Sequence, residues 1–153
     1  MKRKNGFTLL ELMVTIAIGA ILVVLAVPSF EAIVANMRLK SATQDLFSTL
    51  QQTRISAIRT NSRWAVEFVD TNTTYTLNDC GPDNDCSTTD DNVTTKSIDL
   101  SEYPGVTLQQ NFGSDRAVFN SEGSSNAGTI TLTNSKAKSS SIVISPTGRI
   151  RIS

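Results

Sequence analysis

The chain has 153 residues, which leaves room for one small globular domain beside any leader or membrane segment. Fourteen Lys and Arg balance fourteen Asp and Glu, and histidine is absent, so the commonest general base and a common metal ligand are missing. With no histidine to activate a serine and no G-x-S-x-G turn, the sequence reads as a non-enzyme that needs no cofactor and no metal.

A short basic leader, Lys2-Arg3-Lys4-Asn5, ends at Gly6. Phe7 follows, and Glu11 is the single charge in an apolar run that continues to Val27. The run reaches about the 20 residues that a bilayer requires, which predicts a transmembrane segment over about 7–27. An ionised carboxylate at that depth is costly and marks a functional position. A secretory signal would close its apolar run with an A-x-A-like site. None does so here, and the basic residues precede the glycine.

The stretch Gly6-Phe7-Thr8-Leu9-Leu10-Glu11 resembles the type IV prepilin signature, which type IV pilins share with the pseudopilins of type II secretion. The resemblance implies cleavage between Gly6 and Phe7 by a prepilin peptidase and methylation of the new Phe7 amine. It also implies that Glu11 meets the Phe7 amine of a neighbouring subunit as the filament assembles. Such a chain is first held in inner-membrane lipid by one span, with its C-terminal domain in the periplasm. It then joins other major and minor pilins in a pilus on the cell surface. Without residues 1–6 the chain carries eleven bases against fourteen acids.

Beyond the apolar run, Pro28 is expected to kink a helix that continues to about residue 63. Phe30, Ile33, Val34, Met37, Leu46, Leu50, Ala57 and Ile58 recur at helical spacing and predict one apolar stripe laid against a partner. A continuous helix from about Thr8 to Thr60 would be ~80 Å long.

From Trp64 the pattern turns to short β-like runs over 64–153. Trp64–Phe68 alternates apolar and polar residues, and Thr74–Leu77 continues in that style. Residues 78–95 are acidic and rich in Asp, Asn and Thr, which predicts a loop. Further strands are expected near Ser97–Leu100, Val106–Gln109, Ala117–Phe119, Thr129–Thr133, Ile142–Ser145 and Arg149–Ile152. The fold class is α+β: a long N-terminal helix packed on a C-terminal antiparallel β-sheet domain. Cys80 and Cys86, the only cysteines, are expected to form a disulfide in an exported domain. Asp79, Asp83, Asp85, Asp90 and Asp91 could offer oxygens to calcium, but the loop lacks the glycine and glutamate of an EF-hand. It reads as a solvated acidic loop.

Charge is unevenly spread. Residues 64–122 hold eleven acids and only Lys96 and Arg116 as bases, whereas 123–153 hold Lys136, Lys138, Arg149, Arg151 and no acid. Ser145-Pro146-Thr147-Gly148 is a good turn sequence. On the strand that follows, Arg149 and Arg151 share one face and Ile150 and Ile152 the other. Pairing in register predicts Arg151 near Ser139–Ser141 and close to Lys138, making a four-cation patch suited to phosphate. Arg38, Lys40, Arg54, Arg59 and Arg63 on the helix are weaker candidates. Charged residues that merely keep a sheet edge soluble are the plainer explanation of the tail.

The segments Phe119-Asn-Ser-Glu-Gly123, Gly128-Thr-Ile-Thr-Leu132 and Gly148-Arg149-Ile150-Arg151 resemble the GspH/FimT family of minor pilins, FimT-like members most of all. In that family the G-R-x-R motif is associated with binding double-stranded DNA during natural transformation. The resemblance places DNA contact on Gly148, Arg149 and Arg151, with Lys136 and Lys138 beside them. Two alternatives stay open: a GspH-like minor pseudopilin of type II secretion, and a pilus-assembly subunit without a ligand.

Overall fold

The computed structural model describes residues 7–70, 73–88 and 92–153, without the side chains of 24–29 and Asp70. Among the described residues, one α-helix, α1 (Leu9–Thr60), is followed by eight strands, with a short 3-10 turn at Leu100–Glu102. The first compact unit ends at Val34 and the second comprises residues 35–153.

The helix begins where the sequence supplies a cap. Thr8 Oγ1 accepts from the Glu11 amide at 3.2 Å, the Thr-x-x-Glu spacing of a capping box. Glu11 thus stands in the first turn, where the helix dipole favours a negative charge. Phe7, Leu9, Leu10, Met13, Ile16, Ile21 and Leu22 are all exposed. Among the described residues no helix is long and apolar enough to cross a membrane. The span expected over 7–27 includes positions 24–27, which lie outside the described side chains, as does Pro28 with its expected kink.

In the second unit, α1 buries Ala35, Leu39, Ala42, Leu46, Leu50 and Ala57, together with Thr43, Thr49 and Thr53. Within this unit the expected stripe holds at Leu46, Leu50 and Ala57 and is corrected at Met37 and Ile58, which are exposed. The threonines can be buried because each hydroxyl bonds one turn back within the helix. Thr43 donates to the Leu39 carbonyl at 2.8 Å, Thr49 to Asp45 at 3.0 Å and Thr53 to Thr49 at 2.7 Å. The helix ends on Asn61, whose φ of 52° lets the Ser62 amide reach the Ala57 carbonyl at 3.3 Å. Trp64 then locks the exit, its indole N–H donating to Thr60 Oγ1 at 2.8 Å.

The strands are β1 (Trp64–Asp70), β2 (Thr74–Asp79), β3 (Val93–Asp99), β4 (Val106–Gln110), β5 (Arg116–Phe119), β6 (Gly128–Asn134), β7 (Ser139–Ile144) and β8 (Ile150–Ile152). They form two antiparallel sheets, ordered β3-β2-β1-β5 and β4-β6-β7-β8. Val66, Tyr75 and Leu77 from the first sheet and Ile130, Leu132 and Ile142 from the second share one core with the helix leucines. The acidic loop is shorter at both ends than expected, because β2 runs to Asp79 and β3 starts at Val93. In β3 only Ile98 is buried, so the strand is made by backbone pairing with β2 and carries almost no apolar alternation to read.

Candidate nucleic-acid interface

The hairpin that joins β7 to β8 is held by its own backbone and by Ser145. The Gly148 amide donates to the Ser145 carbonyl at 2.8 Å, and the Ser145 amide donates to the Arg149 carbonyl at 3.0 Å. Ser145 Oγ also accepts from the Arg149 amide at 3.2 Å. Arg149 therefore closes the turn, and β8 starts one residue later than expected. Register follows from that: Ile150 pairs with Ile144, Arg151 with Val143 and Ile152 with Ile142.

Arg149 and Arg151 are both exposed. Ile150 is buried as expected, but Ile152, the last residue of this short edge strand, is 46 % exposed. The expected four-cation patch is not formed. Lys136 and Lys138 lie at the β6–β7 turn, where Asn134 Oδ1 accepts from both of their amides at 3.0 Å. Lys138 is five residues up β7 from Val143, the partner of Arg151, or about 17 Å at the usual strand rise. The arginines stand at one end of the second sheet and the lysines at the other.

The turn rests on a second loop, and here the family-like segments meet. Asn120 folds the 120–124 loop, its Oδ1 accepting from the amides of Glu122 at 3.1 Å and Ser124 at 2.9 Å. The Ser125 amide donates to the Pro146 carbonyl at 3.1 Å, which ties this loop to the hairpin. Gly148, at φ 72°, lies so close to Gly123 that a Cβ there would overlap the Gly123 carbonyl oxygen. That same carbonyl accepts from Arg54 Nε at 3.0 Å. Arg54 is thus half-buried beneath the turn, and the sequence alone had left it as one of five helix cations.

Two more of these cations, Arg38 on the helix and Arg63 just beyond its end, also serve the fold. Arg38 donates to the Pro104 carbonyl at 3.3 Å, and Arg63 donates to the Asn84 carbonyl at 3.3 Å. Lys40 and Arg59 are exposed.

Cys80 and Cys86 are disulfide-bonded, with Cα atoms 4.5 Å apart. They are buried against Ala65 and Val118, on the face of the first sheet opposite the main core. Beside them Arg116 pairs with Glu67 at 3.0 Å and donates to the Cys86 carbonyl. The loop aspartates bond their own backbone: Asp83 Oδ1 accepts from the Asp85 amide at 2.8 Å, and Asp85 Oδ1 from the Ser87 amide at 2.9 Å. The Ser87 hydroxyl and amide hold the Asp85 carboxyl below the usual carboxylate range. Among the described residues no group of acids could hold a metal ion; Asp90 and Asp91 lie outside them.

A capped N-terminal helix packed on antiparallel sheets defines a type IV pilin-like subunit. The family model described as type II transport protein GspH matches residues 42–148, and a prokaryotic N-terminal methylation motif matches residues 1–27. The chain belongs to the GspH family of minor pilins and pseudopilins, which are structural filament subunits anchored in the inner membrane before assembly. Its fold is similar to that of the type IV minor pilin FimU of Pseudomonas aeruginosa. That likeness has TM-score 0.63 and 15 % identity over 77 % of this chain and 90 % of that one. It is also similar to EpsH, a minor pseudopilin of the Vibrio cholerae type 2 secretion system, at TM-score 0.62 and 16 % identity over 76 % of this chain and 96 % of that one. For Escherichia coli GspH the values are 0.60 and 12 %, over 78 % and 90 %. No curated protein matches in sequence.

Proposed function

We propose that this chain is a minor type IV pilin that binds extracellular double-stranded DNA, without sequence preference, for uptake in natural transformation. The observation that carries the reading is the pair of exposed arginines, Arg149 closing a braced turn and Arg151 on the strand that leaves it, in a segment with no acid. Gly148 shapes the turn, and the two guanidinium groups grip phosphates. A three-residue edge strand offers backbone contacts to DNA and no element that could read a groove. On this reading, prepilin peptidase cuts between Gly6 and Phe7 and the Phe7 amine is methylated. Residues 7–27 hold the chain in the membrane, and Glu11 meets the Phe7 amine of a neighbour in the filament.

A mobility-shift titration of the full chain in detergent, at several salt concentrations, tests the DNA site. If two to four cations engage phosphates, log K falls against log salt with a slope of about −2 to −4. Replacing Arg149 and Arg151 by Gln should abolish most binding and reduce that slope by about two. Unchanged affinity in that variant discards the hairpin. The second reading, a minor pseudopilin of type II secretion that meets exported proteins, is favoured by the equally good likeness to EpsH. It becomes the better one if the wild-type chain binds no duplex even at low salt.

A further inference from the structure

Beneath the proposed site lies one helix cation in a particular geometry. Arg54 Nε donates to the Gly123 carbonyl at 3.0 Å, and that is the carbonyl on which Gly148 is packed. Both glycines have positive φ, 78° and 72°, so neither loop gets its shape from a side chain of its own. A Cβ at 123 would come within 2.9 Å of Ile58 Cδ1 and 3.2 Å of Arg54 Nε, so helix side chains floor both turns. Gly123 is buried, and a carbonyl left there without a donor costs free energy.

Resting on the DNA-binding reading above, we propose that Arg54 is the positioning residue of that site. It fixes the Gly123 carbonyl against the Gly148 turn and so sets the direction in which Arg149 leaves the sheet. Arg54 acts through its Nε–H and not through its charge, and the geometry of side chains separates the two. Glutamine carries its amide nitrogen the same number of bonds from Cα as arginine carries Nε, so Arg54→Gln keeps a donor at that point and loses the charge. Lysine places a methylene there and its ammonium one bond further out, so Arg54→Lys keeps the charge and loses the donor. Arg54→Leu loses both.

The test measures duplex affinity and hydrogen–deuterium exchange of the peptide containing residues 145–149, on the full chain in detergent. The expected result is that Arg54→Gln retains both the protection of the Gly148 amide and most of the affinity. Arg54→Lys and Arg54→Leu should lose protection and about tenfold in affinity, with an unchanged salt slope, as befits one missing hydrogen bond to a buried carbonyl. The opposite pattern, with Lys normal and Gln weakened with a slope shallower by about one, would make Arg54 a phosphate contact and overturn the proposal. Full protection of the turn in Arg54→Leu would overturn it as well. If the wild-type chain binds no DNA, the functional reading fails, while the exchange pattern still decides whether Arg54 holds the turn.

Discussion

Gly148 lies on the carbonyl of Gly123, twenty-five positions earlier in the chain, with no room for a Cβ between them. The glycine of the G-R-x-R segment is therefore required by packing between two loops, whatever the arginines bind. Gly148→Ala combines a left-handed backbone with a clash against backbone, and is expected to lower stability by about 2–3 kcal/mol. Urea unfolding followed by circular dichroism measures this. A loss below about half a kcal/mol, the level of an ordinary surface change, would mean that the turn relaxes freely.

The two tyrosines give a second prediction. The Tyr103 hydroxyl donates to Asp45 Oδ2 at 2.7 Å, and this bond to a carboxylate pushes its ionisation up to about 12. Tyr75 is fully buried, and burial, then the Asp45 charge, pushes it higher still. A folded-state value above the unfolded one, about 10, means stability that is complete below pH 10 and is lost as pH rises through the folded value. Absorbance at 295 nm should therefore reveal no phenolate at the ordinary tyrosine value. In Asp45→Asn both tyrosines should titrate earlier, Tyr103 most, because it loses its hydrogen bond as well as the charge; two tyrosines ionising normally in the wild type would refute the assignment.

The disulfide gives a third. Cys80 and Cys86 close a short loop, and their sulfurs are packed on Ala65 and Val118. Replacing both by Ala should cost about 2 kcal/mol, from chain entropy in a loop of this size. The same urea titration should record that loss as a lower midpoint with nearly the same slope. DNA affinity should not change, because the loop is on the outer face of the other sheet. A fall in affinity with retained fold would place the disulfide loop in the interface.

Much of this architecture was legible because local pattern and tertiary role agree. The long helix expected to about Thr60 ends there, and the alternation of Trp64–Phe68 and Thr74–Leu77 marks β1 and β2. Where they disagree, reading failed for identifiable reasons. Threonines that bond their own helix carbonyls occupy the core, while Met37 and Ile58 are exposed. Strand β3 is an edge strand of mostly exposed Thr, Lys and Ser, so pairing alone defines it. The arginines of the candidate site were visible as a motif. Arg54 was not singled out, because the Gly123 carbonyl that it holds is brought to the helix only by the fold.

The fourth prediction follows from the separation of Lys136 and Lys138 from the arginine pair. Sequence grouped all four cations, but the two lysines stand at the β6–β7 turn, about 17 Å along β7 from the level of Arg151. At 0.15 M salt the screening length is about 8 Å, so charges that far apart no longer act together on one phosphate. At 0.01 M it is about 30 Å, and the lysines then add to the general attraction. Replacing both lysines by Gln should leave duplex affinity nearly unchanged at 0.15 M salt and weaken it clearly at 0.01 M. Replacing Arg149 and Arg151 should weaken it at both. A lysine variant that loses as much as the arginine variant at 0.15 M would mean that the duplex lies lengthwise along β7 and engages both ends of the sheet. Paired salt titrations of the two double variants therefore read out the footprint of the DNA as well as its affinity.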